Sequence, residues 1–147
     1  MTPDSRKRVL FLCIGNCCRS QMAEGFARTH GSDVLIAASA GIVPTAEVAQ
    51  DTRRAMAEKH IDLSDHFPKS LRHLSRAKFD LIVNMSGLDV SLEANLPLVE
   101  WQVEDPYLQP IETYREVRDH IERLVMDLVL RLRAENAPPQ GGPAPSG

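Results

Sequence analysis

Hydrophobic and polar positions along this chain follow two rhythms. Short apolar runs read as strands: VLFLC (Val9 to Cys13), FDLIVNM (Phe79 to Met85) and the shorter LVEWQV (Leu98 to Val103). DVLIAASA (Asp33 to Ala40) is a further strand, closed by Gly41. Between the strands, apolar residues recur three and four positions apart. Met22, Phe26 and Ala27 give one face to a helix over Arg19 to His30, with Gly31 placed to end it. Val48, Ala49, Ala55 and Met56 do the same over Thr45 to His60. The stretch from Ile61 to Lys78 is mixed and polar, broken by Pro68, with room for one short helix, and a weak helical pattern spans Leu88 to Leu96. The last helix is the clearest, with Tyr114, Val117, Ile121, Leu124, Leu128 and Leu132 as its inward face and the charges of REVRDHIERL between them. Pro110 stands before its start, where a missing N–H costs no hydrogen bond.

Strands alternating with helices imply a parallel sheet. In such sheets ligands bind beyond the carboxyl ends of the strands. Cys13 ends the first strand, SAG (Ser39 to Gly41) ends the second, and Asp105 follows the fourth, so the pattern predicts that all three share one edge.

At 147 residues the chain suits one domain, placed at 1–136, followed by a Pro- and Gly-rich tail over 137–147 that is expected to be disordered. A net charge of −3 lacks the basic field of a nucleic-acid binder. No apolar run approaches the ~18 residues of a membrane span. The run after MTPDSRKR is too short for a secretory signal, so a cytoplasmic protein is expected.

The chemistry gathers in FLCIGNCCRSQMAEG. All three cysteines, Cys13, Cys17 and Cys18, fall within six residues. A structural zinc needs four ligands, three adjacent cysteines cannot wrap a tetrahedral ion, and the five histidines show no paired spacing, so no metal is expected. A phosphate-binding loop fits better. CIGNCCR sets Cys13 and Arg19 around Ile14, Gly15, Asn16, Cys17 and Cys18, between a strand end and a helix start. Backbone N–H groups of such a loop and the helix N-terminus hold a tetrahedral oxyanion. Gly15 is read as the tight turn, Arg19 as a fork on two oxygens, and Cys13, its thiolate favoured by the same field, as the nucleophile. Ser20 is read as a donor to the Cys13 sulfur and as a helix cap, two compatible roles. Asn16 either shapes the loop through its amide or tolerates a left-handed turn. Cys18 is either a redox partner for Cys13 or a small buried residue. Cys17 has no evident task beyond the loop.

Cleaving a phosphate ester also needs a proton donor. Only twelve residues precede Cys13, so the donor is expected downstream. WQVEDPYL offers Asp105, with Pro106 to stiffen the loop and Tyr107 as a wall; Glu104 lies one residue nearer the strand. Asp-Pro is also a common turn, a reading that loses ground once Cys13 and Arg19 share its edge.

From Arg8 to Leu132 the chain resembles the low-molecular-weight protein tyrosine phosphatase family, which includes the thioredoxin-coupled arsenate reductases. CIGNCCRS, SAG, SDH (Ser64 to His66), FDLIVNM and DPY carry the resemblance by their order and spacing. It implies a flavodoxin-like, three-layer α/β/α fold with a four-stranded parallel sheet. It also implies that Cys13 forms a phosphocysteine, Arg19 binds phosphate and Asp105 acts as acid and then base, supported by Ser20, Asn16, Ser39 and His66. No cofactor is implied. The expected activity is a phosphomonoesterase on a phosphotyrosine protein or small aryl phosphate, with phosphate or another oxyanion in the loop and neither nucleic acid nor membrane as partner. The alternative is an arsenate reductase using an external small thiol or a thioredoxin-type reductant; a non-catalytic oxyanion or redox module would leave Asp105 superfluous. The chain departs from the phosphatases in a short segment between Cys13 and Asp105, in GIVPTAE without an aromatic, and in Leu108 after Tyr107. It departs from the thioredoxin-coupled reductases in having no cysteine after Cys18, and in Lys69 three positions past His66.

Overall fold

The computed structural model describes residues 4–74, 79–90 and 97–137. Four strands form one parallel sheet in the order β2-β1-β3-β4. They are β1 (Lys7–Cys13), β2 (Leu35–Gly41), β3 (Leu81–Asn84) and β4 (Leu98–Glu100). The helices are α1 (Arg19–His30), α2 (Gln50–Ala57) and α3 (Ile111–Asn136), with a 3-10 turn at Leu71–Leu74. This is the expected flavodoxin-like α/β arrangement. β1 lies between β2 and β3, so the crevice where the strand order reverses opens at Cys13.

The alternation of β1 divides the core. Val9 and Phe11 join α1, α2 and α3 on one face through Met22, Phe26, Met56, Ile121 and Val125. Leu10 and Leu12 meet Ile82 and Ala40 on the other, covered among the described residues by Leu71, Leu74, Phe79 and Val90. α3 begins at Pro110 as the sequence predicts. Its buried stripe runs through Tyr114, Val117, Ile121, Val125, Val129 and Leu132, so Leu124 and Leu128 sit at its margin instead of its centre. After Ile121, steps of four keep the stripe over the sheet better than the step of three that reaches Leu124. No described helix is long and apolar enough to cross a membrane.

Several boundaries move for identifiable reasons. β2 starts at Leu35, because Val34 and Leu35 turn their N–H groups back onto Gly31 O. β3 and β4 are shorter than the apolar runs that contain them. α2 starts at Gln50 rather than Thr45: the N–H groups of Val43, Thr45 and Ala49 are drawn to the carbonyls of Ile14, Gly15 and Cys17. Its far end closes by Ile61 N–H to Met56 O and His60 N–H to Ala57 O, with His60 left-handed at φ 62°, a Schellman closure on a residue other than glycine. The short helix expected between Ile61 and Lys78 is the 3-10 turn; residues 75–78, most of the helix proposed over Leu88 to Leu96, and the tail beyond 137 lie outside the described residues.

Candidate active site

The turn between β1 and α1 is built so that its carbonyls face outward. Ile14 O, Gly15 O and Cys17 O accept from Val43, Thr45 and Ala49, Cys18 O accepts from Met22, and Asn16 O accepts from Gln21 Nε2. Among the described residues, the backbone N–H groups of Ile14 to Cys18 donate to no protein acceptor. Five N–H groups at the entry of a helix, with every carbonyl engaged elsewhere, form a nest for an anion.

Asn16, not Gly15, makes the sharp turn. It adopts φ 52°, whereas Gly15 stays outside the left-handed region. Both readings of Asn16 hold: its backbone turns, and its fully buried amide ties the loop. Asn16 Oδ1 accepts from Lys69 N–H at 2.8 Å, and Nδ2 donates to Ser20 Oγ at 2.6 Å. Because Ser20 Oγ is an acceptor there, its own proton points to the Cys13 sulfur, 2.9 Å away. Ser20 is therefore no cap; the N-cap position of α1 is Cys18, without a side-chain cap bond.

Arg19 is anchored from the far side of the sheet. Its Nη1 donates to Met85 O at the end of β3 and to Val103 O beyond β4. Its Nη2 lies 3.4 Å from Asp105 Oδ2, and its buried Nε has no partner. The Nε and Nη2 edge is the side of the fork that pairs with two oxygens of an oxyanion. Asp105 holds the turn through Oδ1, which accepts from Tyr107 N–H at 3.1 Å, while Oδ2 meets Arg19 at the cavity. Cys13, Arg19 and Asp105 thus converge on one edge, with Ile14, Gly15, Cys17, Cys18, Tyr107, Val43 and Thr45, around a cavity of about 160 Å³. A larger cleft of about 460 Å³ lies on the other side of Arg19, between Asn84 and Glu104, without a cysteine in its wall.

Ser39 and His66 brace the loop from outside. Ser39 Oγ donates to the buried carboxylate of Glu24, which Arg28 neutralises at 2.8 Å. Gln21 Nε2 donates to Asn16 O and Phe67 O, leaving its Oε1 to accept from His66 Nδ1 at 2.8 Å. Burial holds the His66 pKa below its ordinary value despite the nearby Glu24. Gly41 completes SAG for a steric reason: a Cβ there would stand 2.8 Å from Ile14 O and 2.9 Å from Asn16 N. Sequence reasoning passed over Gln21 and Glu24. Their signal was two polar side chains within the otherwise small and apolar stretch QMAEGFA of α1.

The cysteines remain free. Cys13 pairs with Ser20, and Cys18 Sγ lies 3.5 Å from Cys17 Sγ. The Cys18 thiol donates to Cys17, which lowers the Cys17 pKa to about 7 with help from Thr45. The same bond, and burial, push Cys18 up. Among the described residues no group of three or more His, Cys, Asp or Glu is arranged to hold a metal ion.

Comparison with known proteins places this geometry. Residues 8–137 match the family described as low molecular weight phosphotyrosine protein phosphatase. The chain is 32% identical over 130 residues to the glutaredoxin arsenate reductase of Synechocystis sp., covering 86% of this chain and 98% of that one. A solved arsenate reductase in the phosphate binding state superposes with a TM-score of 0.78 at 32% identity, covering 86% of this chain and 98% of the other. The low molecular weight protein tyrosine phosphatase of T. tengcongensis superposes at 0.71 with 29% identity, covering 85% and 99%.

Proposed function

The chain belongs to the low molecular weight phosphotyrosine protein phosphatase family, and within it we propose that this protein is an arsenate reductase drawing its electrons from an external thiol. The observation that carries the reading is the size and lining of the cavity over Cys13. At about 160 Å³ it falls well below the ~300–1,000 Å³ of pockets that enclose drug-sized ligands, and suits a tetrahedral inorganic oxyanion. Val43 and Thr45 line it, and Tyr107 is the one aromatic of its wall among the described residues. The similar proteins named arsenate reductases support the same choice over the aryl phosphatase.

The reaction follows from the groups in place. Cys13 bonds to arsenic(V), and an arsenate oxygen leaves as water, protonated by Asp105. The loop N–H groups and the Arg19 fork hold the remaining oxygens. An external thiolate then bonds to the Cys13 sulfur. The sulfur–arsenic bond breaks with its electron pair on arsenic, releasing arsenite and leaving a mixed disulfide. A second external thiol displaces Cys13 from that disulfide. External thiols fit this sequence, which carries no cysteine after Cys18, while the Cys18 sulfur is paired with that of Cys17.

A second reading, a phosphomonoesterase, is favoured by Asp105 alone. A carboxylate beside Arg19 at the cavity is what a phosphocysteine needs for protonating a leaving alkoxide and activating water. One paired assay separates the two. Arsenate with excess glutathione should yield arsenite and one disulfide per arsenite, while p-nitrophenyl phosphate is hydrolysed slowly. Rapid ester hydrolysis without thiol-dependent arsenite would replace the reductase by the phosphomonoesterase.

A further inference from the structure

Neither reading uses the thiols of Cys17 or Cys18. Their sulfurs lie 3.5 Å apart, both residues are at least 95% buried, and both contribute to the wall of the cavity that holds Cys13. Their backbone is held in place, with Cys17 O accepting from Ala49 and Cys18 O from Met22. The buried Thr52 hydroxyl, which makes no conventional hydrogen bond, faces Cys18. We propose that Cys17 and Cys18 form a chelating dithiol site for trivalent arsenic, as arsenite or an organoarsine oxide, beside the oxyanion nest.

The geometry selects the ligand. An atom that bonds thiolate sulfur at about 2.3 Å, the length seen for zinc, bridges two sulfurs 3.5 Å apart at an angle near ~100°. That angle suits a trivalent atom carrying a lone pair. Tetrahedral zinc needs four ligands, and no third His, Cys, Asp or Glu among the described residues is placed to help. Arsenic(III) needs only the two soft thiolates and keeps one hydroxyl or organic group, which the cavity receives. In the reaction two sulfur–arsenic bonds form: from arsenite two arsenic–hydroxyl groups leave with the two thiol protons as two waters, and from an organoarsine oxide its single oxygen leaves with both protons as one water. Arsenic stays trivalent, so no oxidant or reductant is consumed. In a chain that reduces arsenate, the pair meets the product where it forms; that consequence rests on the reductase reading, whereas the binding itself does not.

The test uses the reduced full chain with phenylarsine oxide in excess mercaptoethanol, followed by intact-mass spectrometry. One phenylarsenic unit should add per chain, resist the monothiol and leave on addition of a 1,2-dithiol. The adduct should persist in Cys13→Ser. In Cys17→Ser and Cys18→Ser it should weaken by roughly 10²-fold or more, the advantage of closing a second bond intramolecularly. Circular dichroism verifies folding, and should Cys18→Ser not fold, Cys17→Ser at the cavity wall decides. An adduct that survives in Cys17→Ser, vanishes in Cys13→Ser or never forms in the native chain overturns the site. Because the probe is already trivalent, failure here leaves the reductase reading standing, and absence of arsenate reduction leaves the dithiol site standing.

Discussion

Two loops face each other across the cavity, and they are held in different ways. The loop from Ile14 to Arg19 is largely buried, with its carbonyls bonded to residues 43–49 and to α1, and Asn16 clamped between Lys69 and Ser20. The loop from Glu104 to Pro110 has fewer ties: two local bonds, Tyr107 N–H to Asp105 and Gln109 N–H to Pro106, the contact of Asp105 with Arg19, and the junction of Pro110 with α3. Asp105 has a side chain 43% exposed, and Leu108 is 83% exposed at φ 65°, an unfavourable conformation for leucine. The first loop must present its N–H groups before the oxyanion arrives, because reorganising them during reaction would forfeit their advantage. In the proposed reaction the second delivers one proton, and fewer contacts suffice for that. Under that reading the binding loop is preorganised more firmly than the loop of the proton donor.

The largest effect that separates the loops is expected from Cys13→Ser. Turnover of arsenate and of p-nitrophenyl phosphate should fall by roughly 10⁴–10⁶-fold, the scale of losing a nucleophile. Calorimetric binding of phosphate should persist, because the nest and Arg19 remain. Loss of phosphate binding would show that the thiol, not the loop, builds the oxyanion site.

Asp105→Asn should lower turnover by about 10²–10⁴-fold, the usual range for a general acid. The loss should be greatest for esters with poor leaving groups, with phosphate affinity little reduced. An equal loss on all leaving groups would make Asp105 a support for Arg19 instead of a proton donor.

Asn16→Ala removes two buried hydrogen bonds and leaves a residue with a Cβ in the left-handed region. Stability should drop by about 2–4 kcal/mol in urea denaturation. Asn16→Gly should recover the backbone share but not the amide bonds, so it falls between. If the two variants match, the positive φ carries no cost, and if Asn16→Gly is as stable as the native chain, the amide clamp carries no stability.

The outer brace gives a pH signature. His66 has a folded-state pKa below its ordinary 6.5, set first by burial. The unfolded chain therefore binds more protons in the window just below pH 6.5, and stability falls as pH drops through it. Urea midpoints between pH 7.5 and 5.5 should show this slope, and His66→Gln should flatten it. An unchanged slope would assign the effect to other groups.

The smallest effect is expected in the exposed loop. Leu108→Gly relieves a positive φ at the cost of unfolded-state entropy, so the net change should stay within about 1 kcal/mol, on the stabilising side. A loss above that would mean that Leu108 contributes packing its exposure does not suggest.

The strand and helix order, the oxyanion loop between Cys13 and Arg19, the edge shared with Asp105 and the start of α3 at Pro110 were legible from residues alone. Each depends on local periodicity or on a short spacing, and both survive folding intact. What the tertiary structure decided involves residues far apart in the chain. Asn16 takes the turn assigned to Gly15 because Lys69, 53 positions away, clamps its amide. Ser20 serves the Cys13 sulfur instead of capping α1. Residues 45–49 leave the helix their pattern suggests because their N–H groups complete the loop carbonyls. The same holds for Gln21 and Glu24, whose partners His66 and Ser39 come from other segments. Periodicity records which side of an element is buried, whereas the partner of a buried polar atom is chosen by packing, since only the assembled chain brings a donor within reach of each acceptor.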